Sequence, residues 1–186
     1  ARDLGLPDPP VVALGFGGKP EDWDAVRPRL IEQLGDYAEL AEREHFVLAG
    51  EAHSKGAVNS TERVIEVLEP VGSSRVRLHF DIVHFFLGGE EIEDCVTRLV
   101  PWTAHTHVTD AVRHPDRRFD PRLPGDGELD TVAYVRAMEE AGWDDFISLE
   151  ISGMIWGAEG YDVEAAARRC HDELSAAIDA AGIERG

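Results

Sequence analysis

Short apolar runs alternate along the chain with longer segments that repeat apolar residues at helical spacing, and this rhythm constrains the fold more than any other feature. An apolar run followed by an amphipathic helix is the sequence pattern of a βα unit. The apolar runs cover residues 11–16, 46–50, 76–80, 102–108 and 146–149. Because successive βα units join parallel strands through helical crossovers, the sequence predicts an α/β protein with five strand–helix units.

Residues that start and stop helices stand at the expected places between these runs. Asn59, with Glu62 three residues later, is predicted to cap the second helix. Asp130 and Asp162 are predicted to cap the two helices nearest the carboxyl terminus, and Gly142 is predicted to end the first of these two. Three of the five apolar runs therefore have a helix with a predicted start or stop behind them.

The spacing of the units favours a barrel over an open sheet. The residues that end four of the runs, Glu51, Asp81, His107 and Glu150, are separated by 30, 26 and 43 residues. A (β/α)8 barrel of about 250 residues averages roughly 31 residues per unit. A doubly wound open sheet has the same rhythm, but the turn at residues 15–18, GFGG, lacks the GxGxxG form typical of that fold. We therefore predict a (β/α)8 TIM barrel, present as a C-terminal part of about five βα units, with residues 1–186 as a single domain.

The residues at the run ends indicate a metal site. In a parallel barrel the carboxyl ends of all strands open on one face, so Glu51, Asp81, His107 and Glu150 are expected to converge. A single acidic residue after a strand is usually a helix cap or a solvated carboxylate. Four metal-binding side chains at successive strand ends are much harder to explain in that way. Three carboxylates and one imidazole suit Mn²⁺, Mg²⁺ or Co²⁺, with Zn²⁺ as the alternative.

Composition excludes several classes of partner. The chain has 37 Asp and Glu against 18 Lys and Arg and a net charge of -19, so nucleic acid and anionic membranes are not expected to bind it. No apolar run approaches the roughly 18 residues of a membrane span. The two cysteines, Cys95 and Cys170, have no CxxC or CxxH neighbour, so we expect a reducing, cytoplasmic location.

Five short motifs accompany the strand ends, in the order Glu51-Ala-His53, Asp81-Ile-Val-His84, His105-Thr-His107-Val-Thr-Asp110, Pro124-Gly-Asp-Gly-Glu-Leu-Asp130 and Ile147-Ser-Leu-Glu150. Over residues 11–180 this series resembles the xylose-isomerase-like TIM-barrel superfamily of sugar (phosphate) isomerases and epimerases. The resemblance implies that the four strand-end residues bind one divalent metal ion. It also implies that Glu51 and Glu150 act as an acid–base pair, and that His84 and Arg113 contact substrate oxygens.

The function implied by this resemblance is a metal-dependent sugar or sugar phosphate isomerase or epimerase that works through an enediolate. A dehydratase acting on a cyclic polyol would use the same proton abstraction and stays open, as does a non-catalytic truncated barrel that serves as a binding or assembly module. A zinc endonuclease of abasic sites would need an Asp-x-His pair where this chain has Asp120-Pro-Arg122. That difference and the negative charge argue against DNA repair.

Five units are fewer than the eight that close a barrel, so about three units, on the order of 90 residues, are expected upstream of Ala1 or from a second copy. An incomplete barrel would leave apolar residues such as Phe80 and Ile82 exposed on its inner face. We therefore expect the isolated chain to self-associate and its activity to require the upstream units.

Overall fold

The computed structural model describes residues 9–116 and 118–184. These residues form two compact units. The first unit comprises the chain up to Phe80 together with Pro101–His105, and the second comprises Asp81–Val100 together with the chain from Thr106 onward.

The strands and helices follow the predicted βα order. The strands are β1 (Val11–Gly15), β2 (Val47–Glu51), β3 (Val76–Asp81), β4 (Thr103–Val108), β5 (Asp110–Ala111), β6 (Pro121–Arg122) and β7 (Ser148–Leu149). The helices are α1 (Trp23–Glu44), α2 (Thr61–Val71), α3 (Ile82–Gly88), α4 (Ile92–Leu99), α5 (Thr131–Glu140), α6 (Gly153–Trp156) and α7 (Val163–Ala181). Five strands form one parallel sheet in the order β1-β2-β3-β4-β7, and β5 pairs with β6 in a small antiparallel ladder. The prediction of five βα units from a (β/α)8 barrel is confirmed.

In the first unit, the strand register places two strand ends side by side. Gly15 at the end of β1 lies opposite Glu51 at the end of β2, and Glu51 lies opposite His79 of β3. The ring of Phe16 covers the backbone of Gly50, where a Cβ atom would lie 2.2 Å from the ring. Only glycine fits at position 50, and this close packing fixes how the chain leaves β1.

The start of α2 corrects one sequence prediction, because Ser60 and not Asn59 is its N-cap. The backbone of Ser60 is extended, and its hydroxyl accepts a hydrogen bond of 3.3 Å from the N–H of Arg63. The Asn59 side chain lies one residue too early for this role, and its Oδ1 instead accepts from the Arg63 guanidinium at 3.2 Å. Both side chains hold the first turn of the helix, but only Ser60 satisfies one of its backbone donors.

In the second unit the predicted caps are confirmed. The carboxylate of Asp130 accepts from the N–H of Ala133 at the start of α5, and that of Asp162 accepts from the N–H of Ala165 at the start of α7. Gly142 follows α5 in the left-handed region with φ of 78°, which glycine adopts without strain. Helix α5 packs against both α4 and α7.

The expectation that Phe80 and Ile82 would be exposed is wrong, since both side chains are fully buried within the described structure. Ile82 does not continue strand β3. It begins α3, and this short helix buries every residue from Ile82 to Leu87. The large apolar side chains that are exposed lie elsewhere, namely Val11, Val12, Phe146, Met154, Trp156 and Val163. Among the described helices, none combines the length and the apolar character needed to cross a membrane.

Candidate metal centre

Asp81 is the most deeply buried of the predicted ligands. It is the last residue of β3, and its side chain is 1% exposed. Its Oδ1 accepts a hydrogen bond of 3.1 Å from the N–H of Val83, which makes Asp81 the N-cap of α3. A carboxylate in such a place is held in one orientation by the backbone, and desolvation makes a cationic partner strongly favourable.

His107 and Glu150 meet at the ends of neighbouring parallel strands. His107 of β4 lies opposite Ser148 of β7, and the N–H of Glu150 donates to the carbonyl of Val108 at 3.1 Å. His107 Nδ1 lies 3.5 Å from Glu150 Oε2, and both residues are partly buried. The Thr109 hydroxyl donates to the Glu150 carbonyl at 3.1 Å, which further fixes the backbone that carries the carboxylate.

Asp81, His107 and Glu150 together form a group that fits a metal ion. Each offers one ligand atom, and these atoms lie within 4.8 Å of one another. Ligands at about 2.0–2.3 Å from a first-row ion lie at most roughly 4.0–4.6 Å apart across it, so only a small adjustment is needed. Two carboxylates and an imidazole are a ligand set for Mn²⁺, Co²⁺, Mg²⁺ or Zn²⁺.

The fourth predicted ligand, Glu51, belongs to the first unit. It is the last residue of β2 and is partly buried. It also lines a cleft together with the turn that follows β1. Its position at the carboxyl end of a parallel strand is the one that the sequence predicted.

His84 is buried in α3, close to Asp81. Its Nε2 lies 3.8 Å from Asp81 Oδ2, and its ring packs against that of Phe119 with centroids 5.7 Å apart. The side chain is 6% exposed. The predicted contact between His84 and substrate stays a prediction.

Arg113 lies in an exposed loop and packs on an aromatic ring. Its guanidinium carbon lies 4.1 Å from the centre of the Phe86 ring, a cation–π arrangement. Its backbone N–H donates to Glu128 Oε2 at 2.9 Å. The guanidinium therefore packs against a residue of α3, while the predicted role of Arg113 in substrate binding stays a prediction.

Tyr134 of α5 lies in the core of the second unit, and the charge of Asp81 affects the pKa of its hydroxyl. Burial raises the pKa of its hydroxyl well above the usual value, and the negative charge of Asp81 raises this pKa further. One face of α5 is buried, and its residues include Thr131, Tyr134, Val135 and Met138. Their helical spacing is the sequence signal that predicts Tyr134 as a buried residue.

Asp110 is the residue that sequence reasoning missed. It is 1% exposed, and its two carboxylate oxygens accept hydrogen bonds from four backbone N–H groups. The donors are Ala111, Gly125, Gly127 and Leu129, at 2.7, 3.0, 2.9 and 3.0 Å. Asp110 therefore organises the long loop that carries Arg113, and the signal for it was the HxHxxD motif followed by the glycine-rich stretch 125–127.

Asp120, which stands where a zinc endonuclease would need an Asp-x-His pair, is engaged in ion pairs. Its carboxylate accepts from His114 Nε2 at 2.7 Å and from the guanidinium of Arg122. The hydrogen bond from His114, followed by that from Arg122, lowers the pKa of Asp120 below its usual value. This carboxylate links the His114 and Arg122 side chains within the loop.

The fold is part of a parallel (β/α)8 barrel, and two carboxylates and a histidine at its strand ends form a candidate metal site. The sequence model of the xylose isomerase-like TIM barrel family matches residues 1–180, and the chain belongs to this family.

Curated relatives and solved structures agree with this assignment. An inosose isomerase of Bacillus velezensis is 27% identical over 133 residues, which are 69% of this chain and 48% of that protein. An inosose dehydratase of Geobacillus thermodenitrificans is 23% identical over 144 residues, 70% of this chain and 47% of that protein. The chain thus spans about half the length of the curated relatives that it matches.

Two solved structures illustrate the shared fold. An IolI protein with a bound zinc atom superposes with a TM-score of 0.77 at 20% identity, over 92% of this chain and 63% of that one. An L-ribulose 3-epimerase superposes with a TM-score of 0.73 at 20% identity, over 97% of this chain and 64% of that one.

Proposed function

We propose that this protein is, or forms part of, a divalent-metal-dependent isomerase or epimerase of a small sugar or polyol. The observation that carries the proposal is the convergence of Asp81, His107 and Glu150 within 4.8 Å. Relatives named as isomerases and epimerases support the reaction class.

We propose Glu51 as the fourth ligand. It ends β2, which pairs with β3, and β3 delivers Asp81 as its last residue. A metal ion bound by these side chains would act as a Lewis acid toward neighbouring carbonyl and hydroxyl oxygens of the substrate. Mn²⁺, Mg²⁺ and Co²⁺ suit the oxygen-rich set, and zinc, as bound in the IolI protein, is the alternative.

Glu51 and Glu150 are proposed as the acid–base pair. One carboxylate removes the proton from the carbon next to the substrate carbonyl, which gives an enediolate, and the other returns a proton. Return to the opposite face of the same carbon gives an epimer, whereas return to the neighbouring carbon exchanges aldose and ketose. His107 Nδ1 lies 3.5 Å from Glu150 Oε2, so a metal ion held by both side chains would sit beside this carboxylate. His84 and Arg113 are proposed to bind substrate oxygens.

Solvent exchange tests the reaction class. The protein, supplied with Mn²⁺ or Co²⁺, is incubated in D₂O with ketoses and inososes, and the products are followed by NMR. An isomerase or epimerase incorporates deuterium at the abstracted carbon, because the carboxylate exchanges its proton with solvent. Catalysed change of substrate without any deuterium incorporation would contradict proton transfer through an exchanging carboxylate.

The same experiment separates the second candidate, a dehydratase, which the similarity to an inosose dehydratase favours. Loss of water after proton removal gives an unsaturated or deoxy product, whose NMR signals differ from those of an isomer because one hydroxyl group is lost. If this were the main product, the proposed reaction class would be lyase and not isomerase. Metal binding without turnover of any sugar would favour the non-catalytic binding module.

Metal binding has its own test. Adding Mn²⁺ or Co²⁺ to chelator-treated protein should raise the unfolding temperature, since an ion at 100 times its Kd stabilises the folded state by about 2.7 kcal/mol. Asp81→Asn keeps the cap to Val83 but removes the buried charge, so this shift should disappear. Asp144→Asn, an exposed acidic residue of the same unit, is the matched control and should keep the shift. An equal shift in both variants would remove Asp81 from the metal site.

A further inference from the structure

Glu150 is less confined than Asp81, the other carboxylate that the second unit supplies to the candidate metal site. The Glu150 side chain is 43% exposed, whereas that of Asp81 is 1% exposed and accepts a hydrogen bond from a backbone N–H group. Glutamate is also among the side chains that lose most rotamer freedom when they are ordered. A glutamate that binds a metal ion and transfers protons therefore needs neighbours that fix its carboxylate.

Thr109 is such a neighbour. It directly follows β4, and it is fully buried. Its Oγ1 donates to the Glu150 carbonyl oxygen at 3.1 Å and lies 3.5 Å from Glu150 Oε2. The hydroxyl proton is directed mainly to the carbonyl oxygen, with the carboxylate oxygen at the limit of hydrogen-bonding distance. The two contacts relate the direction of the Glu150 side chain to the position of its own backbone.

The carboxylate oxygen that Thr109 reaches is the one that faces the predicted histidine ligand. His107 Nδ1 lies 3.5 Å from Glu150 Oε2. Carboxylates that ligate metals are themselves hydrogen-bonded, and these outer partners orient the ligand atom. The Thr109 hydroxyl stands where such a partner is needed, and it adds no charge to the site.

Thr106, another threonine of β4, makes it possible to separate this role from strand pairing. It is as fully buried as Thr109. Its hydroxyl donates to the carbonyl of Phe146 at 2.9 Å and accepts from the N–H of Ser148 at 3.3 Å. Within the described residues, the hydroxyl of Thr106 therefore bonds to backbone groups alone. Both threonines connect β4 with the chain around β7, but Thr109 also reaches a carboxylate.

We propose that Thr109 is a positioning residue, whose hydroxyl holds Glu150 Oε2 beside His107 for metal binding. Thr109 acts through Glu150, and the fixed carboxylate then has one orientation for proton transfer. The inference rests on the proposed function in taking Glu150 as a metal ligand and an acid–base group. Its metal-binding part applies equally to an isomerase, a dehydratase and a non-catalytic binding module.

Co²⁺ is the probe for this role, because its visible absorption depends on the number and geometry of its ligands. It is titrated into the chelator-treated full chain. Thr109→Val keeps the shape of the side chain but removes the hydroxyl. We expect this variant to bind Co²⁺ about tenfold more weakly, at the lower end of what outer partners contribute, because the contact with Oε2 is long. The spectrum at saturating Co²⁺ should also change.

Two further variants serve as controls. Thr106→Val removes a hydroxyl with two backbone hydrogen bonds, so it should lower the urea midpoint at least as much as Thr109→Val. It should nevertheless keep the Co²⁺ affinity and the spectrum of the wild type. Thr109→Ser keeps the hydroxyl and should restore most of the lost affinity. Equal Co²⁺ binding by the two valine variants, or a serine variant as weak as Thr109→Val, would overturn the proposal.

Turnover gives a second readout, measured with saturating metal on the substrate found by solvent exchange. The kcat of Thr109→Val should fall while KM stays near the wild-type value, because the hydroxyl orients a carboxylate and does not bind the sugar. A raised KM with unchanged kcat would assign Thr109 to substrate binding and contradict the proposal.

Failure of the proposed function has a different signature, since it appears in the wild-type chain. A wild type that binds Co²⁺ but converts no sugar would contradict the proposed reaction, and the Co²⁺ titrations would still support or overturn the role of Thr109. A wild type without saturable Co²⁺ binding would overturn both. Wild-type Co²⁺ binding that Thr109→Val retains in full would overturn the role of Thr109 alone.

Discussion

Glu150→Gln should lower turnover by a factor of about 10²–10⁴, the contribution expected of a positioned acid–base group. An amide cannot take a proton from carbon, although it keeps the shape of the side chain. The backbone of Glu150 is held by its N–H bond to Val108 and by the Thr109 hydroxyl, neither of which needs the carboxylate. The variant should therefore fold normally, and the loss should appear in kcat with saturating metal and substrate.

The matched control for this variant is Glu159→Gln. Glu159 is an exposed glutamate of the same unit, nine positions further along the chain. Its substitution removes the same charge and should leave turnover unchanged. Metal content must be measured in both variants, because a loss of turnover with bound metal retained assigns Glu150 to proton transfer. Turnover near the wild-type value would exclude that role.

The strand-end residues could be predicted because strand direction and side-chain chemistry coincide there. Asp81 and Glu150 interrupt or end apolar runs, where a charge is costly unless it has a function or a partner. His107 stands in a run rich in His and Thr, yet β4 still forms and pairs with β7. Parallel strands place these side chains at the same edge of the sheet, so their proximity could be predicted without knowledge of their individual contacts.

The helix α3 could not be predicted from the pattern. Ile82 and Val83 read as a continuation of the preceding strand because both are β-branched and apolar. In the structure Asp81 caps a helix directly at the strand end, and the following residues are buried on all sides. A helix without a polar face has no period to detect, so the sequence could not separate it from a buried strand.

The loop at residues 112–129 was outside the reach of sequence reasoning for a different reason. Its shape depends on hydrogen bonds between a buried carboxylate and backbone groups up to 19 residues away. No periodicity encodes such contacts. Proline and glycine at Pro124, Gly125 and Gly127 mark the turns of this loop, but not the side chain on which the turns close.

Asp110→Ala should destabilise the protein by about 3–5 kcal/mol, because four backbone N–H groups, in two buried and two partly buried hydrogen bonds, lose a charged acceptor at once. One unsatisfied buried donor costs about 1–3 kcal/mol, and partial relaxation of the loop keeps the sum below four full penalties. Urea unfolding measures the change as a lower midpoint. Asp110→Asn keeps one acceptor oxygen and should lie between the wild type and the alanine variant.

The packing of Gly127 against the same carboxylate provides an independent check. A Cβ atom at position 127 would lie 2.2 Å from Asp110 Oδ1 and 2.7 Å from the carbonyl oxygen of Ala111, so Gly127→Ala must displace the loop. We expect this variant to lose about 1–3 kcal/mol, as overpacked sites do. Asp144→Ala, an exposed residue, should stay within about 0.5 kcal/mol of the wild type. If Asp110→Ala behaved like Asp144→Ala, the four hydrogen bonds would not be what holds this loop, and Arg113 would need another support.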